Sequence, residues 1–398
     1  MALYEGIALI QEKQAVVLDL GSEYTKFGFT GEAAPRCIVR SEFWSPGLRG
    51  YKRVFDYKDD EELYDNLVHM LHLLYFRHVL VNPKERRVVV VESLLTPTRF
   101  RETLAKVLFT HYEVSGVAWA DSGRLCALTL GAPAALVLEV GAREAEVCAV
   151  IHGCVVLRSL QAAPRGALRV RTELARLLAE DGAPALTDHV LEDIMVKTCL
   201  VTTRERAQQW ASDSPPTPAK SVRYPLAGAG RGRGGPGGAV TVEGRARELS
   251  AEPLFAEDGE YCSLQDLLLQ CIMQSPIDCR RALAENILVC GGGAALPGLR
   301  SRLREELAHA LTEPPYCDRL HLTSLKFHSA PAHANSVAWL GGAAAGGGGA
   351  GAGRRGPAGG DARAGGRDAW LRARRLKDWV CLLDNTPPDH PAREHHLI

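Results

Sequence analysis

Residues 15–32, AVVLDLGSEYTKFGFTGE, and residues 135–153, ALVLEVGAREAEVCAVIHG, follow one plan. Each begins as a run of apolar and β-branched residues, turns at an acid-x-Gly, and returns as a second strand. Such an echo implies two half-molecules built on the same hairpin. The glycine in each turn lets backbone approach a ligand closely, and turn amides form nests for anions. Two facing hairpins are therefore suited to clasp one phosphate chain. Asp19, Gly21, Ser22 and Lys26 lie on the first, and Glu139 and Gly141 on the second. Acid-Gly pairs also close ordinary hairpins, so either turn alone is weak evidence.

A third glycine cluster, Gly291-Gly292-Gly293, follows the apolar run NILVC and precedes a helical pattern carrying Leu299, Leu303 and Leu307. Open α/β sheets bind ligands at such strand ends, although a plain strand-to-helix turn has the same composition. Elsewhere β-branched runs such as RRVVVVES alternate with amphipathic stretches. EELYDNLVHMLHLLYF puts Leu63, Leu67, Leu71 and Leu74 on one stripe. Thr96 and Pro97 read as the opening of another helix, Thr96 as its cap, with Phe100, Leu104 and Leu108 on the apolar face. The class is α/β with a duplicated core.

Two stretches leave that alternation: residues 212–239, with SPPTP and GAGRGRGGPGG, and residues 343–366, with AAAGGGGAGAGRRGPAGG. Their apolar content is too low to offset chain entropy, so both are expected to be disordered. Lys+Arg and Asp+Glu both number 47, which leaves no field to attract nucleic acid or anionic lipid. Partners are expected to be recognised by shape. The 11 cysteines include no CxxC pair, the pattern of reduced intracellular thiols. No leader pattern and no bilayer-length apolar run occurs, so the expected place is cytoplasm or cytoskeleton, without membrane insertion. The 13 histidines show no HExxH-like spacing, and no dedicated metal site is expected.

Taken together, these segments resemble the actin family, within the wider group of actin, Hsp70 and sugar-kinase ATPases. Asp19 to Phe29 is similar to actin's first phosphate hairpin, and RRVVVVESLLTPTRFRETLAKVLF to the neighbouring strand and helix. MQSPIDCRRALAENILVCGGGAALPG and NSVAWLGG resemble the glycine turn of the nucleotide cleft and a segment near actin's C terminus. The resemblance implies a two-lobed fold with a cleft between the lobes. The first lobe comprises 1–31, 79–138 and 326–398, with a shortened small subdomain at 32–78. The second comprises 139–165 and 255–325, with a small subdomain at 166–254. It also implies ATP or ADP with Mg2+, held by Asp19, Gly21, Ser22, Lys26, Glu139, Gly141, Gly291 and Gly292. The ion would be reached through waters from Asp19 and Glu139.

The departures from the family pattern bear on chemistry. Glu23 stands where actin has glycine; turned inward it would repel phosphate, and turned outward it would be harmless. Arg143 and Ala142 replace a glycine and an acid of the second hairpin, and three readings stay open for Arg143: it helps neutralise phosphate, it blocks the nest, or it is a solvated turn residue. Ser122 stands where actin's glutamine orients the attacking water, and a serine is too short to do so, so turnover is expected to be slow or absent. In the nucleoside pocket, Met195-Val196 replace a Lys-Glu pair, Ala295 and Leu296 replace Met and Tyr, and Asn335 replaces a lysine. The segment between residue 37 and the helix near Glu61 is shorter than in actin, where it carries a loop that inserts into the next subunit. After WLGG the expected apolar helix gives way to glycines, which form helix poorly.

Within the family, YEGIALIQEKQAVVLDLG, LLYFRHVLVNPKERRVVVVES and RRLKDWVCLLDNTPP look most like the branch at the pointed end of dynactin. That implies a non-catalytic, non-polymerising subunit. Its partners would be the filament-forming actin-related protein of dynactin and the pointed-end subunits. A slow ATPase and a nuclear, chromatin-associated actin relative are the alternatives.

Overall fold

A computed structural model describes residues 14–226, 238–256, 259, 261–322 and 324–347. Val16, Val17 and Leu18 are fully buried, so this run forms an interior strand. It is β1 (Val16–Leu20), which turns back into β2 (Tyr24–Phe29), itself paired with β3 (Cys37–Arg40). A separate hairpin, β4 (Glu42–Ser45) and β5 (Gly50–Arg53), leads to helix α1 (Asp60–Leu73). The side chain of Asp59 caps α1, and Leu63, Leu67, Leu71 and Leu74 are all buried, as the periodicity requires. β6 (Arg87–Glu92) pairs in parallel with β1, and β7 (Gly116–Asp121) with β6, giving a sheet of order β3-β2-β1-β6-β7. Helix α2 (Thr98–Lys106) lies between those two strands in sequence.

The second half repeats the first. After helix α3 (Ser122–Leu130), β8 (Ala134–Val140) turns back into β9 (Ala145–Ile151), which pairs with β10 (Cys154–Val155) and β11 (Gln161–Ala163). Helices α4 (Ala167–Glu180) and α5 (Asp188–Thr198) follow, then the paired strands β12 (Val222–Pro225) and β13 (Ala239–Val242). Helix α6 (Leu264–Gln274), β14 (Ile287–Cys290), helix α7 (Leu299–Ala310) and β15 (Phe327–His328) complete this half. The order β10-β9-β8-β14-β15 reproduces that of the first sheet strand for strand, with β8, β9 and β14 in the places of β1, β2 and β6.

The halves meet through two helices. The last helix among the described residues, α8 (Val337–Gly347), packs on β1 and β6, while α3 packs on β8 and β9, and the two helices pack on each other. Val17, Val89, Val91, Leu125, Val137, Val150 and Trp339 form the shared apolar layer, and the buried Trp339 indole donates to the Val17 carbonyl at 3.1 Å. Gly341 lies at the crossing, where an added Cβ would come within 2.2 Å of the Leu125 carbonyl oxygen.

Three expectations are corrected. Residues 343–347 continue α8 instead of interrupting it, because their small side chains suit a packed helix face: a Cβ on Gly346 would lie 2.5 Å from Thr30 Cγ2. Residues 212–239 are not disordered throughout. Val222 to Pro225 pair with Ala239 to Val242, and the amide of Ala219 donates to Glu248 at 2.8 Å. Thr96 does not cap α2, which begins at Thr98 with the extended Pro97 at the cap position. Residues 1–13, 227–237 and 348–398, with the rest of both glycine-rich stretches and the ending at 375–388, lie outside the described residues. Among the described residues, no helix is long and apolar enough to cross a membrane, and all ten cysteines are free.

Candidate functional site

The two hairpins turn in the same way. The Gly21 amide donates to the Tyr24 carbonyl at 3.2 Å, and the Gly141 amide to the Glu144 carbonyl at 2.9 Å. In each turn a Cβ would crowd the accepting oxygen, at 2.7 Å for Gly21 and 3.0 Å for Gly141. The first turn is pinned by buried Ser41, whose hydroxyl donates to the Gly21 carbonyl at 2.5 Å and whose amide donates to the Glu23 carbonyl at 2.9 Å. The second is pinned by the start of α4, where the amides of Ala167 and Leu168 donate to the carbonyls of Gly141 and Ala142. The glycine cluster completes the frame. Gly291 has φ +89, a conformation side chains avoid, and its amide donates to the Ala334 carbonyl at 2.8 Å. Gly292 faces open space.

These turns line one cavity of about 1010 Å³. All eight residues singled out in the sequence, Asp19, Gly21, Ser22, Lys26, Glu139, Gly141, Gly291 and Gly292, are in its wall. Asp19 and Lys26 face each other across β1 and β2 and form an ion pair of 2.8 Å. Burial pulls the Lys26 ammonium down, but Asp19, and behind it Glu139, outweigh burial and leave it above its ordinary value. Glu139 is pushed up chiefly by burial; the nearby Ser122 hydroxyl and Lys26 act the other way. Ser122 begins α3 and is buried, yet its hydroxyl is not aligned with any acceptor or donor. Beside Glu139 lie two thiols, Cys126 of α3 and Cys290 of β14, with sulfurs 3.5 Å apart.

Glu23 points neither into an empty phosphate nest nor out to water. Arg53 donates to its carboxylate at 3.0 Å, and Arg171 lies 3.7 Å away. Both arginines also meet Asp188, at 2.9 and 3.3 Å, and Arg40 pairs with Glu192 at 2.5 Å. These contacts tie β3, β5 and the β1–β2 turn of the first half to α4 and α5 of the second at the edge of the cavity. Arg143 is exposed at the second turn and, among the described residues, makes no ion pair. In the expected nucleoside pocket, Met195, Val196, Ala295 and Asn335 line the cavity, whereas Leu296 is buried in the core of the second half.

Two equivalent sheets, each presenting a hairpin and a strand end to one shared cavity, define a duplicated two-lobed α/β protein with a cleft between its lobes. An actin family model matches residues 59–209 and 187–350, well over half of the chain, and the chain belongs to the actin family. It is similar to actin-like protein 7A of Mus musculus, 24% identical over 327 residues, covering 75% of this chain and 71% of that protein.

Actin-fold proteins in general bind ATP or ADP with Mg2+. The phosphate end of this cleft fits such a group: paired turns, the open face of Gly292, Lys26, the half-buried Glu139 carboxylate and the buried Ser122 hydroxyl beside it. When bound, the group would supply anionic and metal contacts common to both lobes, with Lys26 and the turns orienting its phosphates. The nucleoside end offers mainly apolar atoms at Met195, Val196 and Ala295.

The sequence reading missed Arg53, Arg171, Asp188, Arg40 and Glu192, and missed the pairing of Cys126 with Cys290. No local pattern marks them. Arg53 and Asp188 are separated by 135 positions, Cys126 and Cys290 by 164, and only the fold brings them together.

Proposed function

We propose that the chain is a non-catalytic actin-family subunit of dynactin. In this reading it ends dynactin's short actin-like filament at the pointed end and joins it to the pointed-end subcomplex, in support of dynein-driven transport along microtubules. The observation that carries the reading is the β4–β5 hairpin. In the actin family this segment bears a longer loop that inserts into the next subunit. Here the tip is Pro46 to Arg49, closed by an Arg49 amide to Pro46 carbonyl hydrogen bond of 3.3 Å. A subunit of this shape docks onto a filament and offers no inserting loop to a successor.

The cleft supports the same reading. Ser122 occupies the water-orienting position, and its hydroxyl is too short to span to a γ-phosphate and hold water in line. A nucleotide would then act by linkage, stabilising the joined lobes rather than powering a cycle. Tagged full-length protein recovered from cell extract at physiological salt should bring dynactin subunits with it; recovery without any of them would overturn the proposal. The Asp19–Lys26 pair and Glu139 favour a second reading, slow ATP hydrolysis. Single-turnover phosphate release from the wild type, absent in Glu139→Ala, would establish that reading instead.

A further inference from the structure

We propose that Cys126, Glu139 and Cys290 form a binding site for a thiophilic divalent cation, Zn2+ in kind, at the floor of the cleft. The inference does not depend on the assembly role, because it rests on side chains that neither the hairpin nor the water position involves. The three ligand atoms lie within 4.8 Å of one another. They come from three elements, α3, β8 and β14, and Glu139 and Cys290 are direct neighbours in the parallel pairing of β8 with β14. A tetrahedral Zn2+ with Zn–S bonds of about 2.3 Å places its two sulfurs roughly 3.8 Å apart. The sulfurs here are 3.5 Å apart, with Cys290 donating a weak S–H hydrogen bond to Cys126. Widening of a few tenths of an ångström, which rotamer adjustment supplies, would admit the ion between them.

Chemistry separates this site from a Mg2+ carried by phosphate. Mg2+ takes oxygen ligands and keeps its waters, whereas two thiolates and a carboxylate select a softer ion. Glu139 is half-buried in the cavity wall, with only the Ser122 hydroxyl and Lys26 acting to favour its charge, a setting in which a carboxylate gains from a cation. All three residues line the cavity, so an ion has a path of entry and a fourth position open toward the cleft. Lys26 does not preclude binding, since Asp19 offsets its charge at 2.8 Å. The step balances: the two thiol protons pass to solvent as the dication binds two thiolates and one carboxylate.

The test uses the full-length protein, stripped with chelator and titrated with Co2+ in excess Mg2+. A single equivalent of Co2+ should produce tetrahedral ligand-field bands and a thiolate-to-metal charge-transfer band, both erased by Zn2+. The charge-transfer band should vanish in the Cys126→Ser/Cys290→Ser double variant and persist in Cys262→Ser. Glu139→Gln should keep the band and bind more weakly. Thermal melting checks that each variant is folded. An octahedral Co2+ spectrum without charge transfer, or a band that survives in the double variant, would overturn the site. If the double variant does not fold, the same titration of the two single variants decides: undiminished charge-transfer intensity in both would overturn it.

Discussion

Glu146 shows how one buried carboxyl shapes the response of this protein to pH. It lies opposite Glu139 across β8 and β9, accepts a hydrogen bond from the Ser93 hydroxyl at 2.6 Å, and is pushed up by burial to about 7. Between its ordinary value of 4.5 and about 7, the folded chain holds a proton there that the unfolded chain releases. Stability from this group therefore falls as pH rises through that window and is level above it. Glu146→Gln removes the charge and keeps an acceptor for Ser93. It should flatten the dependence and stabilise the protein at pH 8 by up to about 3 kcal/mol. Unfolding midpoints at pH 5 and pH 8 check this; an unchanged difference between the two would refute it. Glu139 was legible in the sequence because it sits in a repeated turn. Glu146 was not, because the burial that shifts it arises only in the folded chain, and the Ser93 hydroxyl that acts the other way is 53 positions away.

At the scale of elements, the crossing of α3 and α8 carries the packing between the halves. Gly341→Ala would drive a methyl into the Leu125 carbonyl, forcing the helices apart at a cost of about 1–3 kcal/mol. Gly292→Ala meets nothing within 4 Å and should leave the melting temperature unchanged, although both positions belong to glycine-rich runs. Comparison of the two melting curves tests whether glycine is required at the crossing. The strands and amphipathic helices were legible because their signals are local: period two or continuous burial for strands, one stripe for α1. The errors had a common source. Glycine at 343–347 was read as a helix breaker, and the glycine- and proline-rich composition of 212–239 as a sign of disorder throughout. In each case a tertiary partner, β1 and β6 for the helix and β13 for the strand, overrides the local preference.

For the whole molecule, duplication was legible and closure was not. The repeated acid-x-Gly turn foretold two equivalent sheets around one cavity. The ion pairs that join the halves, Arg40–Glu192, Arg53–Asp188 and Arg171–Glu23, had no sequence signal, since each links residues far apart in the chain. Their weight falls on Glu23, only 11% exposed and served by both Arg53 and Arg171. An Arg53→Ala/Arg171→Ala variant leaves that carboxylate buried without its partners, at a cost of about 3 kcal/mol. Hydrogen exchange in β3, β5 and α5 should then accelerate, and adding Glu23→Gln should restore part of the protection. Unchanged exchange would show that the halves close without these pairs.

The assembly role is a claim about position, and electron cryo-microscopy of native dynactin containing this chain reads position directly. The expected result is the chain at the pointed end of the filament, with pointed-end subunits against it and no further actin-like subunit seated over the β4–β5 hairpin. An interior place in the filament, with a successor docked over that hairpin, would contradict the account.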